Sequence, residues 1–208
     1  MVLGLTAGFA LSADLGAVPL TLHRTGEGLT QGNSDVNWNV KKPDGSVVSA
    51  ISANDVTGPP SGWITPISGG TWISIVSSGN VPAGTYEYST RFEIGLGLDP
   101  STAQISGSWY ADEPNVANGI MLNGVSVSAF QGAIWNEPNP ANAAFSITSG
   151  FVQGWNTLTF LVTNTAGPGG TLVQNLTGSA NAVPDSGGSL VLLGCALSGL
   201  AYFRRKQG

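Results

Sequence analysis

The side chains that could catalyse a reaction are few in this sequence. His23 is the only histidine among 208 residues, and a Ser-His-Asp arrangement would have to use it, because a nucleophile needs a base beside it. No nucleophile-elbow motif accompanies His23. The single cysteine, Cys195, lies in an apolar stretch near the C-terminus. We therefore expect no triad-type hydrolase and interpret His23 as an exposed or strand-edge residue.

Two carboxylates can hydrolyse a glycosidic bond, and the ten acidic residues between Val18 and Ala182 offer many pairs. Glu137 lies in "WNEPNPAN", close to Trp135, but this is a short string without a barrel to carry it. Asp112 and Glu113 are adjacent, so on a strand they would point to opposite faces. We expect a protein that is not an enzyme, and a small secreted glycoside-active enzyme using Glu137 remains the alternative.

Oxygen-rich side chains could also hold a metal ion. Asp55, Asp112 and Glu113, together with loop carbonyls, are weak candidates for Ca²⁺, which prefers oxygen ligands. No calcium-loop spacing is visible. We expect no other cofactor, so a structural Ca²⁺ ion is the one that the sequence leaves open.

Sugar binding requires an aromatic platform beside polar groups in a concave site. Two patches are candidates on these grounds. The first comprises Trp109, Tyr110, Asp112 and Asn118, and the second comprises Trp135, Asn136 and Glu137. The competing interpretation is that large aromatic side chains fill the core, and we favour it for Trp109 and Trp155. Trp135, flanked by Asn and Pro, is the tryptophan that we most expect to be exposed.

The composition favours short strands joined by tight turns. Charged residues make up 9% of the chain, glycine contributes 30 residues, and the hydrophobic content of 41% with six Trp is enough to bury a core. Between Val18 and Ala182, four basic and ten acidic residues give a net charge of −6. An acidic body excludes nucleic-acid binding, which depends on neutralising phosphates.

Period-two patterning runs through this body. In "TYEYSTRFEI", one face carries Tyr86, Tyr88, Thr90, Phe92 and Ile94, and the other carries Thr85, Glu87, Ser89, Arg91 and Glu93. In "NTLTFLVTN", Leu158, Phe160 and Val162 face inward and Thr157, Thr159 and Thr163 outward. Further candidate strands are "VNWNV" (Val36, Trp38, Val40), "TWISIV", "QISGSWY" and "TLVQNL". Asn123-Gly124 predicts a hairpin with a type I′ turn. About eight short strands predict an all-β fold, an antiparallel β-sandwich or jelly roll.

Both ends of the chain are apolar. "MVLGLTAGFALSA" is typical of a secretory signal peptide, which we assign to residues 1–17. Its usual positive n-region is missing, so either the true start lies upstream or the segment is a buried N-terminal strand. Residues 188–203 predict a single transmembrane helix, somewhat short for a full span. The basic cluster Arg204, Arg205 and Lys206 follows at once and places the body outside the cytoplasmic membrane.

The C-terminal region resembles a known sorting signal. Val183, Pro184, Asp185, Ser186 and Gly187 form "VPDSG", and an apolar helix and Arg-Arg-Lys follow in order. This resembles the VPDSG variant of the PEP-CTERM signal. The resemblance implies processing by an exosortase, a membrane protease of bacteria that export surface and matrix proteins.

A second resemblance concerns the body. "GLDPSTAQISGSWYADE", "GIMLNGVSVS" and "FSITSGFVQGWNTLTFLVTN" follow an order that is similar to galactose-binding-like jelly-roll domains. In the last stretch Gly154-Trp155-Asn156 would turn the chain into a strand. The resemblance implies a jelly-roll ectodomain of the kind found beside glycosidase domains as a sugar-binding module, and it supports fold better than ligand.

Together these patterns predict an organisation and a function. Residues 1–17 are the signal peptide, 18–182 the β-sandwich ectodomain, 183–187 the sorting motif, 188–203 the transmembrane helix and 204–208 the cytoplasmic tail. We expect an exported, exosortase-processed protein of the cell surface or extracellular matrix. Its partners would be an exosortase-type protease, the membrane and a polysaccharide. A structural surface protein that self-associates through edge strands is a further alternative.

Overall fold

The computed structural model describes residues 16–53, 62–67, 69–113, 119–128, 132–165 and 167–183. These residues form twelve strands and two 3₁₀ helices, Pro100–Thr102 and Pro140–Ala143. The strands are β1 (Ala17–Pro19), β2 (Ser34–Lys41), β3 (Val47–Ser52), β4 (Ile73–Ser74), β5 (Gly84–Ile94), β6 (Gln104–Asp112), β7 (Ile120–Leu122), β8 (Val125–Ser128), β9 (Ala133–Ile134), β10 (Ala144–Ile147), β11 (Gly154–Asn164) and β12 (Gly170–Asn181). The predicted all-β class is confirmed.

Several sequence predictions fall outside this part of the chain. They are the signal peptide up to residue 15, Asp55, Asn118, the motif residues Pro184 to Gly187, the transmembrane helix at 188–203 and the basic tail. Within the residues that the structure describes, no helix combines the length and apolar character that a bilayer span requires.

One continuous sheet folds over to make two layers. The strand order is β10-β6-β12-β4-β3-β2-β5-β11-β7-β8, with β1 beside β12 and β9 beside β6. The ring of Phe160 on β11 lies 5.2 Å from Trp109 on β6 and 5.6 Å from Phe145 on β10, centroid to centroid. These strands are not neighbours in the sheet, so the rings must meet across the space between two facing layers. The architecture is therefore that of a β-sandwich.

The longest pairing joins β5 and β11, from Gly84↔Asn164 to Ile94↔Gly154. Every second residue of both strands is buried, which confirms the alternation predicted for each. The chain enters β11 at Gly154, whose φ of +84° favours glycine. The predicted turn is confirmed too, since Asn123 and Gly124 have φ of 54° and 80° and connect β7 to β8.

The pattern around Trp38 needs one correction. Trp38 and Val40 are buried as predicted, but Val36 is 88% exposed. The register with β3 shifts between Asp35 and Asn39, and this bulge turns Val36 outward. Asp35 is buried instead, because its carboxylate accepts the backbone N–H groups of Gly26 and Asn37 at 2.7 and 2.9 Å.

A second apolar cluster covers the outer face of the β6–β12 layer. It contains Ala53, Trp63, Trp72, Tyr110, Ala133, Ala143 and Leu172. The rings of Trp63 and Trp72 stack with centroids 4.6 Å apart. The part of the layer from Ser108 to Asp112 is therefore buried on both faces, whereas its other half, around Ser106 and Thr177, carries an open pocket of about 270 Å³.

The two ends of the described chain lie side by side. β1 pairs with the end of β12, with Ala17 opposite Asn181. Ala182 forms a bridge with Leu98, and the Val183 N–H donates to the Gly97 carbonyl at 2.7 Å. We call this end of the sandwich the exit end. Residues preceding Ala17 and following Val183 both leave the body there.

Candidate functional site

A surface groove of about 560 Å³ lies on the outer face of the layer formed by β2, β5 and β11. The side chains that give it chemical character are Thr21, His23, Asn37, Asn39, Arg91, Glu93 and Trp155. An aromatic ring, two amides, a guanidinium, a carboxylate and an imidazole therefore line one concave surface. Such a combination is suited to a polar ligand with a flat apolar face.

Trp155 is the central feature of this groove. It is 59% exposed, so our expectation that it belongs to the core is wrong. The alternation of β11 explains the result, because Leu158 and Phe160 face inward and every odd-numbered position therefore faces outward. The Arg91 guanidinium carbon lies 4.9 Å from the centroid of the Trp155 ring, within the range of a cation–π contact. Arg91 thus limits the orientations that the ring can adopt.

A buried amide fixes the backbone on which Trp155 stands. Asn156 is fully buried, and its Nδ2 donates to the carbonyls of Val152 and Gly154 at 2.8 and 3.0 Å. Its Oδ1 accepts the Val152 N–H at 3.0 Å and the Asn123 Nδ2 at 2.9 Å. These four hydrogen bonds hold the turn before β11 in one conformation. Trp155 is therefore displayed from a rigid base.

The other wall of the groove is built around Trp38. Its Nε1 donates to the His23 carbonyl at 3.1 Å, which ties the N-terminal segment to β2. The bulge in β2 places Asn37 and Asn39 at the groove. Amide groups both donate and accept hydrogen bonds, so this wall can pair with hydroxyl groups of a ligand.

The first predicted patch does not form a single surface. Trp109 is fully buried in the main core, where its Nε1 donates to Thr171 Oγ1 at 2.9 Å. Tyr110 faces the opposite side and belongs to the second cluster. Burial raises the pKa of the Tyr110 hydroxyl; a hydrogen bond with Gln174 opposes the shift and the charge of Glu137 adds to it. Asp112 is buried and accepts the Trp63 Nε1 at 2.7 Å.

The second predicted patch does lie on one loop, but much of it serves the fold. Trp135 is half-buried and packs on Gly62, where a Cβ atom would run into its ring. The Trp135 carbonyl accepts the Ile64 N–H at 2.8 Å. The Glu137 carboxylate accepts the Asn139 N–H at 2.8 Å, and Asn136 is exposed. Trp155 is thus considerably more accessible than Trp135, the reverse of our expectation.

The candidate metal ligands are engaged within the fold. The Glu113 carboxylate accepts the Thr165 N–H at 2.6 Å, and Asp112 is held by Trp63 as described. Across the ranges that the structure describes, no three His, Cys, Asp or Glu side chains come together in a way that could hold an ion. A Ca²⁺ site built partly from carbonyl oxygens and Asp55 remains a prediction.

Sequence reasoning missed the groove although one signal for it was present. Leu158, Phe160 and Val162 fix which face of β11 enters the core, and this alternation already places Trp155 on the solvent-exposed face. The contribution of β2 carried no such signal, because the bulge that displays Asn37 depends on pairing with β3.

Comparison with protein-family models found one match, described as the VPDSG-CTERM motif, at residues 182–206. No curated protein and no solved structure matches the chain. The galactose-binding-like resemblance of the body therefore stays a prediction. The matched residues begin at Ala182, where the last bridge of the sheet is formed. The chain carries a PEP-CTERM-like sorting signal directly after its β-sandwich, and this signal indicates an exported protein of the cell envelope.

Proposed function

We propose that this chain is an exosortase-processed protein of the cell surface or extracellular matrix whose β-sandwich binds polysaccharide without catalysis. The tail would span the membrane once before processing, and the body would act outside the cytoplasmic membrane. The groove containing Trp155 would be the binding site. The patch around Trp135 is the second place on the body where a sugar could stack.

The sorting part of the proposal is supported by the matched motif and its position. The match begins where the sheet ends. A Pro-Asp-Ser-Gly sequence favours an extended, non-helical backbone, which suits a protease that binds its substrate as a strand.

The exposure of Trp155 is the single observation that carries the binding part. Trp155 is 59% exposed and is held in place by Arg91. Burying this large aromatic side chain would have stabilised the fold, so its exposure supports a role in binding. In the groove it can stack on the apolar face of a sugar ring, while Asn37 and Asn39 pair with hydroxyl groups. Arg91 and Glu93 both line the groove, so their charges offset each other and neutral polysaccharides are the ligands that we favour.

The non-catalytic part is supported by what the acidic side chains do. Asp112, Glu113 and Glu137, the acids considered for glycoside hydrolysis, accept hydrogen bonds from Trp63, Thr165 and Asn139. Carboxylates with these structural partners are less suited to protonating a leaving group. A Glu137→Gln variant tests the alternative: reducing-end release by the wild type that this variant loses would establish an enzyme.

The binding experiment uses the full chain in detergent micelles, titrated by calorimetry with a panel of neutral and acidic polysaccharides. We expect heat with at least one of them and a loss of affinity of about tenfold or more in Trp155→Ala, which corresponds to about 1.4 kcal/mol. Ile67→Ala, at an exposed isoleucine whose backbone N–H donates to Gln174 in the other layer, is the matched control and should bind like the wild type. No heat at millimolar sugar would overturn sugar binding, and equal affinity of Trp155→Ala and wild type would overturn the site.

A further inference from the structure

We propose that the exit end of the sandwich docks on the lipid bilayer while the tail is in place, with Leu96 at the centre of the contact. This inference rests on the membrane anchor of the proposed function. It adds an interaction surface on the body itself, centred on the turn of Leu96, which borders the sugar groove at Trp155 and the sorting motif at Val183.

The exit end presents apolar side chains to solvent. Leu96 is 95% exposed at the tip of the turn that receives Val183. Among the described residues, five of the eleven exposed large apolar side chains lie at this end, namely Val18, Leu96, Val152, Trp155 and Val183. Single exposed apolar residues are ordinary on a protein surface, but a group gathered at one end marks an interaction site.

This apolar end is rigid. The Leu98 N–H donates to the Gly95 carbonyl at 3.1 Å and closes the turn. The Gln153 side-chain amide donates to the carbonyls of Ile94 and Gly95 at 2.5 and 2.7 Å, and so joins this turn to the one before β11. Leu96 is therefore held outward, and the loss of conformational entropy on docking is small.

The length of chain beyond the body determines what covers this surface. Four residues lie between Val183 and position 188, where the apolar run begins. The five steps from Val183 to position 188 span at most about 18 Å when the chain is fully extended. With that run in the bilayer, the exit end is held within about 18 Å of the surface. The described chain also begins at this end, because Ala17 pairs with Asn181.

Charge is distributed in agreement with this orientation. The ion pairs Lys41–Glu87 and Lys42–Asp44 lie at the far end of the sandwich, beside the β2–β3 turn. Two acids lie near the exit end. Asp99 directs its carboxylate at the N–H and hydroxyl of Ser101, and Glu93 is exposed opposite Trp155, on the face that also carries Arg91. The turn at 94–98, which carries Leu96, is itself uncharged, as an apolar contact with the interface favours.

The test uses the full chain with Cys195→Ala, reconstituted in phosphatidylethanolamine–phosphatidylglycerol vesicles. An environment-sensitive fluorophore is attached at Leu96→Cys, at Val152→Cys or, as control, at Val47→Cys. Val47 is 62% exposed and pairs with Lys41, which in turn pairs with Glu87 on β5. From Glu87 to the end of β5 at Ile94 the strand rises by about 24 Å. We expect blue-shifted emission and several-fold stronger quenching by nitroxide lipid at positions 96 and 152 than at 47.

Three results would overturn the proposal, and flotation of the same vesicles tells them apart. If the chain floats with the vesicles but all three labels are quenched equally, the docking proposal is refuted and the membrane anchor is retained. A label at 96 that is shielded from aqueous iodide yet untouched by lipid quencher would mean that a protein, such as a second copy, covers the surface. A chain that does not float with the vesicles would remove the anchor and the docking together.

Discussion

Replacing Asn156 with alanine should be one of the most damaging single changes on the layer of β2, β5 and β11. Asn156 is fully buried and makes four hydrogen bonds of 2.8 to 3.0 Å. They connect the turn before β11 to the β7–β8 hairpin through Asn123. Alanine would leave all of these partners without the amide.

The size of the effect can be worked from these contacts. A typical intramolecular hydrogen bond contributes about 1 kcal/mol net, and an unsatisfied buried group costs about 1 to 3 kcal/mol. Part of the turn is near the surface, so water can replace some of the lost partners. We therefore expect the free energy of unfolding to fall by about 2 to 4 kcal/mol.

The assay is urea unfolding of the full chain in detergent micelles, followed by tryptophan fluorescence. With a slope of about 1 to 3 kcal/mol per M, the midpoint should fall by about 1 M or more. Asn39→Ala makes the same chemical truncation at an exposed position and should stay within about 0.5 kcal/mol of wild type. Equal midpoints for the two variants would refute the reasoning.

Three further changes test the core, the second cluster and the loss of stability at acidic pH. Phe160→Ala removes a fully buried ring between the layers and should cost about 3 to 5 kcal/mol in the same urea assay; a loss below about 1 kcal/mol would contradict the two-layer core. Gly62→Ala should displace the Trp135 ring, cost about 1 to 3 kcal/mol and change the near-ultraviolet circular dichroism; an unchanged spectrum would argue against this packing. The pKa of the Asp99 carboxyl is lowered because the Ser101 hydroxyl and N–H donate to it. The ionised Asp99 carboxylate therefore stabilises the fold above the ordinary pKa of about 3.9, and this stabilisation is lost as the pH falls through the lower folded value. Asp99→Asn should accordingly lessen the fall in melting temperature between about pH 6 and pH 3. An equal fall in the variant and the wild type would contradict this assignment.

The layer of β5 and β11 could be predicted from the sequence because each strand has one wet and one buried face. The alternating pattern then reports directly on which residues enter the core. The Asn123-Gly124 turn was equally predictable, since few residue pairs accept positive φ at both positions. These are local properties, and local sequence determines them.

The β6–β12 layer could not be read in the same way. From Ser108 to Asp112 every residue of β6 is buried, because the segment carrying Trp63 and Trp72 covers its outer face. That segment is about 40 residues away in sequence, and the sequence of β6 does not indicate that its outer face is covered. A strand buried on both faces shows no alternation, so Trp109 and Tyr110 looked like candidates for one patch although they point to opposite sides.

Trp155 illustrates a different kind of error. The preference of large aromatic residues for the core was given more weight than the parity of the strand that carries Trp155. Placing Trp155 on the exposed face looked improbable, because the alternation of β11 then places the amide of Asn156 in the core. The four hydrogen bonds of Asn156 remove that difficulty, and only the structure shows them.

The most direct test of sugar binding at the groove is the indole N–H region of a ¹⁵N-correlated NMR spectrum of the full chain in micelles. Six tryptophans give six indole signals, and Trp155→Phe identifies the one from the groove. On addition of a polysaccharide fragment that binds, we predict that the Trp155 signal shifts while those of Trp72 and Trp109, whose N–H groups are bonded inside the fold away from the groove, stay in place. A shift of the Trp135 signal with Trp155 unmoved would contradict the account.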